Sequence, residues 1–345
     1  MDSSKKLYVA LALLLGLGAG LYVQTQKQQE EAQAYTLEAK LAELPKLDVD
    51  EETRNAIDTI ELTLPPDDKA NEAADAGAGH PQSAERVVLT KKGEEEWALT
   101  APLSYTANFS NVKSLLDNLE KLKITEQISA STDSYARWGV TDDKALRAVF
   151  KKGSEVVADL YFGDNGSRGQ MTRLANHDGV YAMQGYSKYL YERDAKGWRD
   201  KSIFKFDEKE VERVVVQNEN GTFTFERKDD AWTGRFGKVA PGAEFERFKS
   251  SKVDDLLRAY KNLNASDFGD NKTVEDVGLD KPVATVTIEL KGGNDSRVLQ
   301  VGDSAENNAR WVKANTSDTL FTISSWSADW ATAELSKFQE KKSED

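Results

Sequence analysis

One pattern occurs twice along this chain, and it constrains the fold more than any single motif. Ile57-Asp58-Thr59-Ile60-Glu61-Leu62 matches Val211-Glu212-Arg213-Val214-Val215-Val216 at an offset of 154 residues, and Trp97 matches Trp232 at 135. Ala101-Pro102 matches Ala240-Pro241 at 139, while Val112, Leu115, Leu116 and Leu122 match Val253, Leu256, Leu257 and Leu263 at 141. Gly139 and Phe162-Gly163-Asp164 match Gly278 and Val301-Gly302-Asp303, again at 139. Anchors in one order, with offsets that change only between them, mean a unit built twice. The first copy is expected over residues 55–207 and the second over 208–338, followed by a charged tail, 339–345. The largest change of offset coincides with residues 65–85, PPDDKANEAADAGAGHPQSAE, which have no large apolar side chain and read as a flexible insertion into the first copy.

Periodicity supplies the plan of each copy. Ile60-Glu61-Leu62, Val87 to Leu89 and Thr222-Phe223-Thr224-Phe225 alternate as half-buried strands do, with Asn220-Gly221 as a hairpin turn. VKSLLDNLEKL (112–122) and VDDLLRAYKNL (253–263) place apolar residues at i, i+3, i+4, i+7 and i+10, the stripe of a helix packed on a sheet. Further strands are predicted at Leu146 to Phe150, Val156 to Phe162 and Gly179 to Met183, and in the second copy at Ala284 to Leu290, Arg297 to Val301 and Thr319 to Ile323. Aromatic segments close the copies through Tyr186, Tyr189, Tyr191 and Trp198, and through Trp326, Trp330, Leu335 and Phe338. Runs of strands with few helices between them predict an α+β class, two tandem copies of a mainly antiparallel sheet with packed amphipathic helices.

A different solvent is implied by Leu7 to Val23, LYVALALLLGLGAGLYV, which carries no charge. At 1.5 Å per residue this run covers about 25 Å, the lower end of what crosses a hydrocarbon core. It leaves through Leu21-Tyr22-Val23 without a small-residue cleavage pattern, so an uncleaved transmembrane anchor over 7–23 is expected. Lys5 and Lys6 place the tip, residues 1–6, in the cytoplasm by the positive-inside bias. The rest would lie outside the inner membrane of a bacterium, in the periplasm of a Gram-negative one, with residues 24–54 as a stalk or linker that is helical up to Pro45. Ala12, Gly16 and Gly20, spaced by four, form a small-residue face on which another membrane helix packs closely.

Charge and chemistry narrow the rest. The net charge is −13, and no basic stripe interrupts it, which argues against nucleic acid as a partner. Residues 1–23 carry +1, so −14 belongs to the exported part, which anionic headgroups would repel. Cysteine is absent, which removes disulfides, thiolate metal sites and cysteine nucleophiles, and only His80 and His177 remain for imidazole chemistry. No nucleophile elbow, phosphate loop, dinucleotide fingerprint, zinc-protease helix or EF-hand loop is present. Asp164-Asn165-Gly166-Ser167-Arg168-Gly169 is written as a tight turn between strands, and His177 stands in a turn as well. Trp97 and Trp232 recur beside strands, as a shared core demands, whereas Trp311, Trp326 and Trp330 are open as surface aromatics.

These residues carry a resemblance. Trp97 to Ala101-Pro102, the helix with its Leu-Leu-x-x-Leu-x-x-Leu pattern, Val277-Gly278-Leu279-Asp280-Lys281-Pro282, Val301-Gly302-Asp303, and Trp198-Arg199-Asp200-Lys201 through Phe206-Asp207 resemble the bacterial domain of unknown function 4340 family over most of residues 55–338. The first copy departs from the pattern at Trp138-Gly139-Val140-Thr141-Asp142-Asp143, where the proline is missing. The resemblance implies a membrane-anchored exported protein, often encoded beside gliding-motility-type ABC transport systems, and implies no catalytic, cofactor or metal residues.

The expectation is therefore a non-catalytic, membrane-anchored interaction or assembly module, auxiliary to an ABC-type or gliding-motility-like complex and partnered by a permease or related membrane protein. An alternative is a periplasmic ligand-binding protein that takes a glycan, peptide or lipid in a groove between the copies. A carboxylate-dependent hydrolase is a third class, for which the sequence singles out no pair of acids.

Overall fold

In the computed structural model, residues 24–27, 44–66, 84–229, 231–292 and 295–340 are described. The expected anchor, with Lys5, Lys6, Ala12, Gly16 and Gly20, lies outside them, as do residues 28–43 of the expected stalk and most of the insertion with His80. Residues 24–27 are helical, and no helix among the described residues is long and apolar enough to cross a membrane. The chain divides into two units, Met1–Arg199 and Asp200–Asp345.

The first unit begins with helix α1 (Glu51–Ala56) and strands β1 (Thr59–Leu64), β2 (Glu85–Lys91), β3 (Trp97–Ala101) and β4 (Tyr105–Thr106). Helix α2 (Phe109–Leu119) leads to β5 (Lys123–Ser129), β6 (Leu146–Lys152), β7 (Glu155–Gly166), β8 (Gly169–Leu174) and β9 (His177–Gln184), and short helices α3 (Lys188–Tyr191) and α4 (Ala195–Trp198) close it. In the second unit come β10 (Val211–Asn218), β11 (Gly221–Lys228), β12 (Ala231–Gly237), β13 (Ala243–Glu244), helix α5 (Ser251–Tyr260), β14 (Asp267–Phe268), β15 (Ala284–Leu290), β16 (Ser296–Ser304), β17 (Arg310–Ala314), β18 (Leu320–Ile323) and helix α6 (Ser325–Ala331).

Each unit holds one nine-stranded sheet, ordered β4-β3-β2-β1-β6-β7-β8-β9-β5 and β13-β12-β11-β10-β15-β16-β17-β18-β14. The two orders correspond strand for strand, and the neighbours pair antiparallel, as in β1 with β6 and β10 with β15. The fold is α+β with two tandem sheets. Ala101-Pro102 and Ala240-Pro241 are both cis, one at the end of β3 and the other just past β12.

Alternation explains the central strands. In β15, Ala284, Val286, Ile288 and Leu290 are buried while the residues between them are half-buried, and in β1 Ile60 and Leu62 are buried between Thr59, Glu61 and Thr63. That face meets the helix. Val112, Leu115 and Leu119 of α2 are buried with Ile60, Leu62, Leu89 and Phe150 in one core, and each side chain so buried contributes roughly 1.5–3 kcal/mol. Asn108 opens α2 by accepting from the Asn111 amide at 3.1 Å. Both predicted helices begin and end two or three residues earlier than the apolar stripe suggests. Leu122 and Leu263 extend the stripe because the turn after each helix folds them back into the core.

Helix α2 connects the two edge strands of its sheet, β4 and β5.

Several strands were not predicted, namely β3, β4, β5, β8 and their partners β12, β13, β14 and β17. The turn between β10 and β11 is also shifted by one residue. Asn218 pairs with Gly221, leaving Glu219-Asn220 as the loop, and Gly221 begins the strand at φ 141°. A Cβ there would lie 2.8 Å from the Gly237 carbonyl oxygen and 2.9 Å from the Phe236 ring, so this glycine serves close packing. Leu44, Leu47 and Val49, expected in the linker, pack against the first core.

One equivalent contact changes sign between units. Arg54 Nη1 of α1 donates to Glu120 Oε2 at the C-cap of α2, 2.6 Å away, and to Asp117 at 3.2 Å. At the offsets of the repeat, Glu208 accepts from Lys261, the C-cap of α5, at 3.1 Å.

Candidate functional site

The Gly-Asp motif shared by the copies forms a corner. Gly139 and Gly278 end short 3-10 turns at φ 65° and 69°, a left-handed conformation that glycine adopts without cost. The strand beneath each passes so near that a Cβ on Gly163 would sit 2.3 Å from the Trp138 carbonyl oxygen, and one on Gly302 2.2 Å from that of Val277. Asp164 and Asp303 follow on these strands, and both residues are exposed. In the first unit β7 continues to Gly166, which pairs with Gly169, so Ser167-Arg168 is the hairpin turn. The corner is thus accounted for by backbone packing.

Other polar groups are placed as follows. His177 begins β9 in the open, its Nδ1 2.9 Å from Asn176 Oδ1. Among the described residues no group of three or more His, Asp or Glu side chains is gathered to hold a metal. Thr53, through its amide and then its side chain, holds Asp50 below the usual carboxylate range, and the Thr273 amide does the same for Asp276. Lys151 and then Arg86 lower Glu61, and Arg297 lowers Asp295. Every one of these carboxyls is driven toward its ionised form, the opposite of what a proton donor at neutral pH needs. Burial raises Tyr186, Tyr191 and Tyr260 far above the ordinary phenol range, so they stay protonated.

The aromatics separate into core and surface. Trp97 and Trp232 are buried, and Trp232 Nε1 donates to Asp254 Oδ1 at 3.0 Å. Trp330, expected at the surface, is only 7% exposed. The 3-10 segment Leu335–Phe338 folds back so that Phe338 lies 5.9 Å from its ring, and the Lys337 ammonium sits 4.5 Å from the ring centre. Trp311 is half-buried against Val277, Leu279 and Leu320. Trp326 remains at the surface with 57% exposure, joined by Tyr189 at 86%.

These two aromatics hold corresponding places. Tyr189 is the second residue of α3 after Ser187, and Trp326 the second residue of α6 after Ser324, each just past the last strand of its unit. Tyr189 is placed by the sequence in the closing aromatic segment but is not set apart there as a surface residue. Its separation of two residues from the buried Tyr191 carries the signal, because at about 100° per residue the two point to opposite sides of a helix.

The pattern of the two units has a counterpart among known families. A family model described as Domain of unknown function (DUF4340) matches residues 97–282 and 270–344. No curated protein and no solved structure matches the chain.

Proposed function

The chain belongs to this family of unknown function, and on that premise we propose that it is a non-catalytic, membrane-anchored assembly module whose two exported units present side chains to a membrane-protein complex. The observation that carries the proposal is the exposed aromatic at the second residue of the closing helix in both units, Tyr189 and Trp326. Buried residues recur in a duplicated fold because each core needs them, but packing places no such demand on an exposed ring. Large rings on a wet surface are characteristic of contact sites, since they bury much area at little entropic cost.

The anchor is proposed from Leu7 to Val23 with Lys5 and Lys6 on the cytoplasmic side, and its small-residue face, Ala12, Gly16 and Gly20, as the place where a permease helix packs. An ABC-type transporter or a gliding-motility-like complex is the partner class. The test is affinity purification of the full chain from membranes, with a photo-crosslinking residue at position 189 or 326. Recovery of a stoichiometric membrane protein, crosslinked from these positions and lost on Gly16→Leu with Gly20→Leu, is expected. Recovery of none would overturn the proposal.

A further inference from the structure

Each unit serves as a control for the other, because whatever the shared fold requires, both must supply. A hollow of about 460 Å3 in the first unit differs sharply from its counterpart. Arg54, Lys113, Asp117, Glu120, Lys121 and Lys123 line it. At the offsets of the repeat, 154 and 141, the second unit has Glu208, Asp254, Arg258, Lys261, Asn262 and Asn264. Every cation of the first set is replaced by an acid or an amide. The C-terminal dipole of a helix attracts cations to such a place, yet α2 and α5 end alike, and the second unit does without Lys121 and Lys123.

The acids of the hollow are already engaged. Glu120 and Asp117 accept from Arg54 at 2.6 and 3.2 Å, and Asp117 also accepts from Lys113 at 2.6 Å. Lys121 and Lys123 are exposed, and no carboxylate stands within ion-pair distance of either among the described residues. The six residues therefore carry +2 in a chain of −13.

We propose that this hollow binds a phosphate-type anion, with Lys121 and Lys123 as its direct ligands and Arg54 and Lys113 held behind them by Asp117 and Glu120. Lysine suits phosphate because a compact charge with three rotatable donors meets a tetrahedral anion from any side. The volume exceeds one phosphate and leaves room for the group it esterifies. A soluble phosphate ester and a phospholipid headgroup offer the same chemistry. The site does not depend on the assembly role, so failure to capture a partner leaves it standing.

Lysine acetylation, read by mass spectrometry on the full chain in neutral detergent micelles, tests the site. One arm adds glycerol phosphate, the other dopes the micelles with phosphatidylglycerol. Lys121 and Lys123, and with them Lys113 which lines the same hollow, are expected to be acetylated several-fold more slowly, with the exposed Lys228 and Lys238 unchanged. Protection by glycerol phosphate assigns a soluble ester, and protection by phosphatidylglycerol alone assigns a headgroup. The double variant Lys121→Asn, Lys123→Asn adopts the residues of the second unit and is expected to lose ligand protection at Lys113 while keeping its unfolding midpoint. No protection of Lys121 and Lys123 in either arm, equal protection of the control lysines, or protection of Lys113 retained in the folded variant would overturn the proposal.

Discussion

Removing one hydroxyl should have opposite effects in the two units. Tyr191 and Tyr260 are both fully buried against the cores of their units. Tyr260 OH donates to the Ser327 carbonyl oxygen at 2.9 Å. Tyr191 OH, packed by Tyr186 at 5.1 Å and Phe162 at 4.9 Å between ring centres, has no protein partner. A net hydrogen bond is worth about 0.5–1.5 kcal/mol, whereas a buried polar group without one costs about 1–3 kcal/mol. Tyr260→Phe forfeits the bond, while the Ser327 carbonyl keeps its place in the ladder of α6, for a loss of about 0.5–1.5 kcal/mol. Tyr191→Phe removes an uncompensated hydroxyl and keeps the ring contacts, for a gain of about 1 kcal/mol. Urea unfolding of the full chain, with hydrogen exchange in β7 and β16 to report each unit separately, measures both. A loss of stability in Tyr191→Phe equal to that in Tyr260→Phe would refute the reasoning, since it would mean that the Tyr191 hydroxyl is held by a bond of its own.

Other expectations follow from single contacts. Trp330→Ala should cost about 3–5 kcal/mol in thermal unfolding, as a buried indole does, whereas Trp326→Ala should stay within about 0.5 kcal/mol. Gly302→Ala drives a Cβ against the Val277 carbonyl oxygen and should destabilise its unit by several kcal/mol, with β16 losing hydrogen-exchange protection first and no change expected in β7. Asn108→Ala removes the cap of α2 and should cost about 1 kcal/mol. Glu61, lowered by its bond from Lys151, contributes stability that is present above its unfolded pKa and disappears as pH falls through the folded one. Glu61→Gln should therefore be less stable than the parent at neutral pH, by at most about 1 kcal/mol for this partly exposed pair, and should converge with it in strong acid when both are titrated by denaturant unfolding.

Much of the fold was legible because its central strands alternate cleanly and its helices carry a stripe. Ala284–Leu290 was placed to the residue, since each second side chain is buried there. The edge strands were not legible for a matching reason. β4, β13 and β14 have two residues each, too few for a period, and β5 exposes both faces in part. β8 is buried almost throughout, so its Gln-Met-Thr run shows no alternation. Surface aromatics were harder still. Trp326 and Trp330 stand four apart on one helix, and only the return of Phe338 over Trp330 separates them. The cations of the first unit were visible in the sequence, but not that Arg54, far away along the chain, meets the end of α2.

The sign-reversed contact has a consequence for a chain that carries one fold twice. Two similar sheets joined in tandem invite exchange, in which the leading segment of one copy docks on the helix of the other. In such a swap Arg54 would face Lys261, and Glu208 would face Glu120 and Asp117, so both junctions would set like charges together. The penalty is small in water for either junction alone, yet it acts twice and always against the exchanged arrangement. Reversed polarity thus works as an address, which helps two halves of one plan sort themselves beyond what the differences in their cores supply.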